Sequence, residues 1–149
     1  MGTIQLPLDF KEFLRLLNSE QVEYLLVGGY AVGFYGFPRT TGDMDIWLAA
    51  TVQNAERVVR VLRSFGFSQK SIPAESLLQP NQVLRMGVPP LRIELLTSVS
   101  GLAFDDCYPN RNIATMDGVL VNLISLDQLK VNKRSAGRNK DLNDLENLP

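Results

Sequence analysis

A glycine pair between two apolar runs, followed closely by two aspartates, is the feature that most constrains this sequence. The run from Glu23 to Val27 predicts a buried strand that turns at Gly28-Gly29, and a second strand-like run opens at Asp43. Because side chains at positions i and i+2 of a strand point the same way, Asp43 and Asp45 project from one face. Two carboxylates held this close repel each other, and a divalent cation offsets that repulsion.

The glycine pair adds a place for a phosphate beside these carboxylates. Glycine lets backbone N–H groups approach an anion closely, and a helix that begins there adds a partial positive charge. We expect a short helix from Tyr30 to Tyr35, with the N–H groups of Gly29 and Tyr30 contacting phosphate oxygens. A metal ion next to a phosphate favours phosphoryl or nucleotidyl transfer.

Transfer between two metal ions requires at least three carboxylates, so a third acid is expected on a neighbouring strand. Glu94 is the acid within the run from Leu91 to Leu96, which is apolar apart from Glu94 and Arg92, and it is our candidate. The alternative is that Glu94 is an exposed strand residue paired with Arg92 or Arg85.

The sequence lacks histidine altogether, which excludes Ser-His-Asp and Cys-His catalysis and every histidine-based metal site. A metal should therefore be a hard, oxygen-ligated ion such as Mg²⁺ or Mn²⁺. The single cysteine, Cys107, cannot form an internal disulfide, so a reducing, cytoplasmic location is expected. The net charge of −1 leaves only a local patch for any contact with nucleic acid.

The remaining patterns predict an α+β fold in which helices pack on a mixed β-sheet. At 149 residues, a single domain spanning residues 1–149 is expected. The longest uncharged stretch, residues 24–38, is too short for a membrane span of about 20 residues. Further predicted helices are residues 9–19, 54–65, 126–136 and 140–148, and further predicted strands are residues 43–49, 83–88, 91–97, 112–116 and 119–124.

The order of these motifs resembles the nucleotidyltransferase superfamily, which has the DNA-polymerase-β-like fold. The shared pattern is a glycine turn at Gly28-Gly29, the pair Asp43-x-Asp45, and the later acid Glu94. Two positions depart from the usual pattern. Gly29 stands where many members carry serine, and Glu94 stands where aspartate is common.

Two stretches are similar to a small bacterial group that includes toxin components of toxin–antitoxin pairs. They are Arg39-Thr40-Thr41-x-Asp43-x-Asp45 and Lys140-Asp141-x-x-Asp144-Leu145.

The resemblance implies a magnesium- or manganese-dependent enzyme that moves NMP from an NTP, ATP among them, to a hydroxyl group. In that reading Asp43, Asp45 and Glu94 are both the catalytic and the metal-binding residues. Gly28, Gly29, Tyr30, Arg39 and Lys140 then hold the triphosphate. The alternative for Arg39 is a salt bridge to an acid of the site.

The acceptor implied by the resemblance is an RNA such as a tRNA 3′ end, a protein or a small molecule. The implied partners are an antitoxin or a second copy of the chain. An alternative is a catalytically silent nucleotidyltransferase fold that serves as an antitoxin or regulatory module. A third reading is a structural Ca²⁺ site without chemistry.

A basic run near the C-terminus is either a solvated helix face or a contact for triphosphate or RNA. The run comprises Lys130, Lys133, Arg134, Arg138 and Lys140. The acids that follow it, Asp141 and Asp144, either orient Lys140 or cap the last helix.

Overall fold

A mixed β-sheet forms the centre of the structure, a computed structural model that describes residues 4–38, 42–66, 74–87 and 91–149. Within those residues the sheet has six strands in the order β3-β4-β2-β1-β6-β5. The strands are β1 Tyr24–Val27, β2 Asp43–Leu48, β3 Val83–Met86, β4 Arg92–Leu96, β5 Asn112–Met116 and β6 Val119–Leu123.

Helices occur before, between and after the strands in the described part of the chain. They are α1 Leu8–Ser19, α2 Gly28–Phe34, α3 Val52–Phe65, α4 Phe104–Cys107, α5 Leu126–Ala136 and α6 Asn139–Asn147. No helix among the described residues combines the length and the apolar character needed to cross a membrane.

Parallel and antiparallel pairings coexist in the sheet. Strand β1 runs antiparallel to β2 and parallel to β6, while β2 runs parallel to β4. The outer pairs β3–β4 and β5–β6 are antiparallel, and the second is a hairpin that turns at Asp117-Gly118 between the predicted strands 112–116 and 119–124. The predicted α+β fold with helices packed on a mixed sheet is confirmed.

The two faces of the central strands differ in polarity. Met44 and Ile46 of β2, and Ile93 and Leu95 of β4, are buried in the hydrophobic core. The alternate residues of these strands project from the opposite face. On β2 these alternate residues include Asp43 and Asp45, and on β4 they include Arg92 and Glu94.

Two predicted boundaries differ in an informative way. The glycine pair is not a separate turn, because α2 begins at Gly28 directly after β1. Helix α3 begins at Val52, two residues before the predicted start, because the Thr51 side chain accepts a hydrogen bond from the Asn54 N–H. The end of the predicted strand 83–88 and the two prolines that follow it, Pro89 and Pro90, lie outside the described residues.

Asn54 ties helix α3 to the ends of β1 and β2. Its Oδ1 accepts from the Glu23 N–H at 2.7 Å, and its Nδ2 donates to the carbonyls of Glu23 at 3.0 Å and Ala49 at 2.9 Å. The side chain is only 1% exposed, so no solvent replaces these partners. The strands that carry the acids are thus fixed relative to α3.

We expect Asn54→Ala to lower the free energy of unfolding by about 3 kcal/mol, because it leaves buried backbone groups without partners. Urea unfolding followed by circular dichroism measures this change. Asn147→Ala is the matched control, since Asn147 makes one exposed hydrogen bond to the Asn143 carbonyl and should change stability by less than about 0.5 kcal/mol. Equal effects of the two substitutions would contradict this role for Asn54.

Candidate active site

The passage from β1 into α2 brings the backbone of Gly28 against the carboxylate of Asp45. The antiparallel register places Val27 opposite Asp45, so the residue after Val27 reaches the aspartate side chain. Gly28 has φ +69°, and a Cβ at this position would lie 2.2 Å from Asp45 Oδ2. Only glycine fits this contact without displacing the carboxylate.

The acids lie on one face of the sheet, in two neighbouring rows of paired residues. Asp45 is paired with Glu94 on the parallel neighbour β4, and Glu94 is paired with Arg85 on β3. Asp43 is paired in the same way with Arg92. Paired residues project from the same face, so the sheet brings the three predicted acids to one side.

The surroundings of Asp45 change the pKa of its carboxyl group. Burial, the negative charges of Glu94 and Asp43, and a hydrogen bond with Glu94 raise the pKa of Asp45 to about 7, while Lys140 acts in the opposite direction. Asp45 Oδ1 is buried and has no hydrogen-bond partner among the described residues. Ionising this group therefore leaves a buried charge that a cation would compensate.

Two arginines contact the other acids. Arg85 Nε lies 3.0 Å from Glu94 Oε1, so the arginine pairing of the alternative is present, although the Glu94 side chain is only 16% exposed. Arg92 approaches Asp43 through Nε and a terminal guanidinium nitrogen, both at 3.3 Å. Glu94 therefore contacts both an arginine and the Asp45 carboxylate.

A cavity of about 420 Å³ opens beside the acids. Asp43, Asp45 and the glycine pair form one wall, and residues from α5, α6 and the segment after β4 form the others. The polar residues among the latter are Ser98, Ser100, Asn132, Lys133, Arg138 and Lys140. A volume of this size is in the range that holds a small organic ligand.

The other predicted phosphate contacts are distributed unevenly. Gly28, Gly29 and Lys140 line the cavity. The Tyr30 ring packs edge-on against Phe10 in the core, with centroids 5.8 Å apart, and the contact of its backbone N–H with a phosphate stays a prediction. The predicted contact of Arg39 lies outside the described residues.

The acids of the C-terminal motif hold Lys133. Its ammonium lies 3.3 Å from Asp141 and 3.1 Å from Asp144, and all three side chains are at most 5% exposed. Asp141 also accepts from the Arg138 N–H at 3.2 Å and pairs with the Arg138 guanidinium at 2.6 Å. Of the two predicted roles, Asp141 thus fulfils capping, and the lysine held by these acids is Lys133 rather than Lys140.

Burial and these basic neighbours oppose each other at Asp141. Burial alone disfavours its charged form, but hydrogen bonding to Arg138 and the charge of Lys133 hold its pKa below the usual range. The network joins α5 to α6 and fixes the turn from which Arg138 and Lys140 reach the cavity. Sequence reasoning noted the basic run, but nothing in the spacing distinguished Lys133 from its neighbours.

The carboxylate oxygens at this site are the ligand type that a hard divalent cation prefers, although the acids are not gathered around a single point. Within the described segments, no three acidic, cysteine or histidine side chains lie close enough together to hold a metal ion. Asp43 and Asp45 nevertheless offer carboxylate oxygens at the cavity, one buried oxygen of Asp45 has no partner, and Gly28 leaves room against it. These features fit Mg²⁺ or Mn²⁺.

Comparison with known proteins decides the fold. No protein-family model matches this sequence, and no curated protein sequence matches it significantly. Among solved structures, a Thermotoga maritima protein described as a nucleotidyltransferase has a TM-score of 0.60 at 12% identity, covering 92% of this chain and 88% of its own. The lincosamide antibiotic adenylyltransferase LnuA, solved with lincomycin bound, also has a TM-score of 0.60 at 15% identity. The match covers 98% of this chain and 97% of LnuA.

An antigenic nucleotidyltransferase-like protein from Paracoccidioides brasiliensis has a TM-score of 0.55 at 19% identity, covering 93% of this chain and 72% of its own. The chain has the nucleotidyltransferase fold. This confirms the fold predicted from the glycine pair and the acids. The resemblance to toxin components stays a prediction, as do the roles of individual site residues.

We expect the free energy of unfolding to decrease as the pH rises, because Asp45 loses its proton in this range. Because the folded state binds the Asp45 proton more tightly than the unfolded chain does, the free energy of unfolding decreases between about pH 4 and pH 7. The ionisation of Asp45 lowers the free energy of unfolding by up to about 4 kcal/mol over this range. Asp45→Asn should therefore be more stable than wild type at pH 8 in metal-free buffer, and the advantage should shrink towards pH 5. Urea unfolding over this pH series measures it, with the exposed Asp105→Asn as control.

We expect Gly28→Ala to destabilise the protein more than Gly118→Ala. Both glycines have positive φ, +69° and +82°, so each substitution costs about 1–2 kcal/mol in backbone strain. Among the described atoms nothing lies within 4 Å of a Cβ at Gly118, whereas a Cβ at Gly28 meets Asp45 Oδ2. Thermal unfolding compares the two variants, and similar losses would argue against a tight contact between Gly28 and Asp45.

Proposed function

We propose that this protein is a metal-dependent nucleotidyltransferase that moves NMP from an NTP to a hydroxyl group. The observation that carries the proposal is the placement of Asp45. Its carboxylate has a buried unpartnered oxygen, lies against Gly28, and sits beside Glu94 and Asp43 at the mouth of a cavity with basic walls.

In this reaction the acceptor oxygen forms a bond to the α-phosphorus of the NTP. The bond from that phosphorus to the bridging oxygen breaks, pyrophosphate leaves, and the hydroxyl proton is lost. Glu94, the register partner of Asp45 on β4, is the group that takes up this proton. Phosphoryl chemistry of this kind depends mainly on positioning and charge neutralisation.

Asp43 and Asp45 would hold Mg²⁺ or Mn²⁺, and Glu94 would join them as a third ligand on leaving Arg85. The bound cation supplies Lewis-acid activation and offsets the charge that builds up on the phosphate oxygens. The cavity beside the acids receives the triphosphate, because Gly28 and Gly29 allow close approach of backbone and Lys140 contributes a positive charge. Arg39 is a further phosphate contact in this proposal.

The acceptor is an RNA such as a tRNA 3′ end, a protein or a small molecule. The fold likeness to an antibiotic adenylyltransferase supports a small molecule, and the C-terminal motif supports the toxin-like group. For that group the partner is an antitoxin or a second copy of the chain. The lone cysteine favours a reducing, cytoplasmic compartment.

A second candidate function is that of a catalytically silent nucleotidyltransferase fold acting as an antitoxin or regulatory module. The observation that favours it is the pairing of Glu94 with Arg85 and of Asp43 with Arg92. Arginines that remain on these carboxylates would compete with a metal ion.

Calorimetric titration distinguishes the two functions. We expect wild type to bind an NTP only with Mg²⁺ or Mn²⁺, and Asp45→Asn to lose this binding, whereas the exposed Asp105→Asn keeps it. The loss follows because an amide cannot supply the charge that holds the cation. Metal-independent NTP binding, or none, would favour the silent module.

Transfer is then assayed with α-labelled NTPs and total cell RNA or protein. Label should appear on an acceptor with wild type and not with Asp43→Asn. Equal labelling by both proteins would exclude the proposed reaction.

A further inference from the structure

Basic side chains lie on two sides of the acids Asp43, Asp45 and Glu94. On the side of the cavity, Lys140 and Arg138 face Asp45. On the opposite side, strands β3 and β4 carry Arg85 and Arg92. Charge balance with the acids does not require both sets, since a cation at the carboxylates neutralises them.

The β3–β4 side is open to solvent. Strand β3 is the edge strand of the described sheet, and the Arg85 side chain is 59% exposed although it pairs with Glu94. The Arg92 side chain is about one-third exposed and pairs with Asp43. Both guanidiniums are therefore accessible to a large ligand that approaches the acids from this side.

We propose that Arg85 and Arg92 form the phosphate-binding part of the acceptor site, and that the acceptor is the 3′ end of an RNA strand. This inference rests on the proposed function, which it extends by naming the acceptor. The donor NTP takes the cavity side, so the acceptor hydroxyl reaches the acids from the side of the two arginines.

The contacts on this side match the chemistry of a nucleic-acid end. Each guanidinium lies within 3.3 Å of an acid, so a phosphate bound there is close to the hydroxyl that reacts at those acids. Arginine binds phosphate in a bidentate manner, and a cation that takes over Asp43 and Glu94 leaves both guanidiniums to do so.

The spacing favours successive phosphates over a single one. Arg92 lies two positions before Glu94 on β4, and Glu94 is the register partner of Arg85. Two positions along a strand correspond to about 7 Å, which is on the order of the separation of neighbouring phosphates in a single strand. A neutral small acceptor would offer these guanidiniums no phosphate, so they would have only Glu94 and Asp43 as anionic partners.

Fluorescence anisotropy tests this site with a labelled single-stranded RNA oligonucleotide that has a free 3′ hydroxyl, in Mg²⁺ and a non-hydrolysable ATP analogue. The Arg85→Gln/Arg92→Gln double variant should bind at least about tenfold more weakly than wild type. Its log-affinity should also depend less steeply on log salt, by about 1.4 units for two lost phosphate contacts. Arg60→Gln is the matched control, because Arg60 forms an equivalent exposed ion pair at 3.0 Å with Glu20, and it should bind like wild type.

Equal RNA affinity of the double variant and wild type would overturn the inference, and so would wild type that binds the Mg²⁺–ATP analogue but no RNA. Calorimetry of the ATP analogue on the same proteins separates this failure from that of the proposed function. The double variant should retain analogue binding, which also shows that it is folded. Wild type that fails to bind the analogue with Mg²⁺ would defeat the proposed function and, with it, this inference.

Discussion

The close approach of Gly28 to the Asp45 carboxylate is the constraint on which the rest of the site depends. It requires a residue without a side chain at the start of α2, and it requires β1 and β2 to pair with Val27 opposite Asp45. The same contact shields the carboxylate from water, and with Glu94 and Asp43 nearby this raises the pKa of Asp45 to about 7. The fold thus disfavours the ionised form of Asp45, and a cation bound at this carboxylate would offset that cost.

Charge around the site is balanced by different means on its two sides. On the β3–β4 side, exposed arginines pair directly with Glu94 and Asp43. Near the cavity, the buried ion pairs of Lys133 with Asp141 and Asp144 fix α6 against α5. Breaking such a buried network by removing one partner typically costs 3–5 kcal/mol, so its geometry is rigidly specified. The exposed arginines can therefore exchange an acid for another ligand at little cost in free energy, whereas the buried network of Lys133 cannot.

The sequence predicts that Asp43 and Asp45 share a face because this signal is local. Aspartates two residues apart in a strand share a face whatever the rest of the fold does, and an isolated Glu94 in an apolar run stands out. Lys133 was missed as a distinct residue, because its role depends on burial between α5 and α6 rather than on spacing. Ser98, Ser100 and Asn132 gave no signal, since polar residues of loops and helix surfaces are common everywhere.

By itself the sequence determined all the strands and every helix except α4, the shared face of Asp43 and Asp45, and the absence of histidine chemistry, because these follow from periodicity and composition. It also indicated the nucleotidyltransferase fold through the order of its motifs. Only the tertiary structure decided that β2 and β4 run side by side and in register, which brings Glu94 next to Asp45. It likewise decided which arginine pairs with which acid and which lysine is buried. These pairings join residues distant in the chain, and strand order and burial set them.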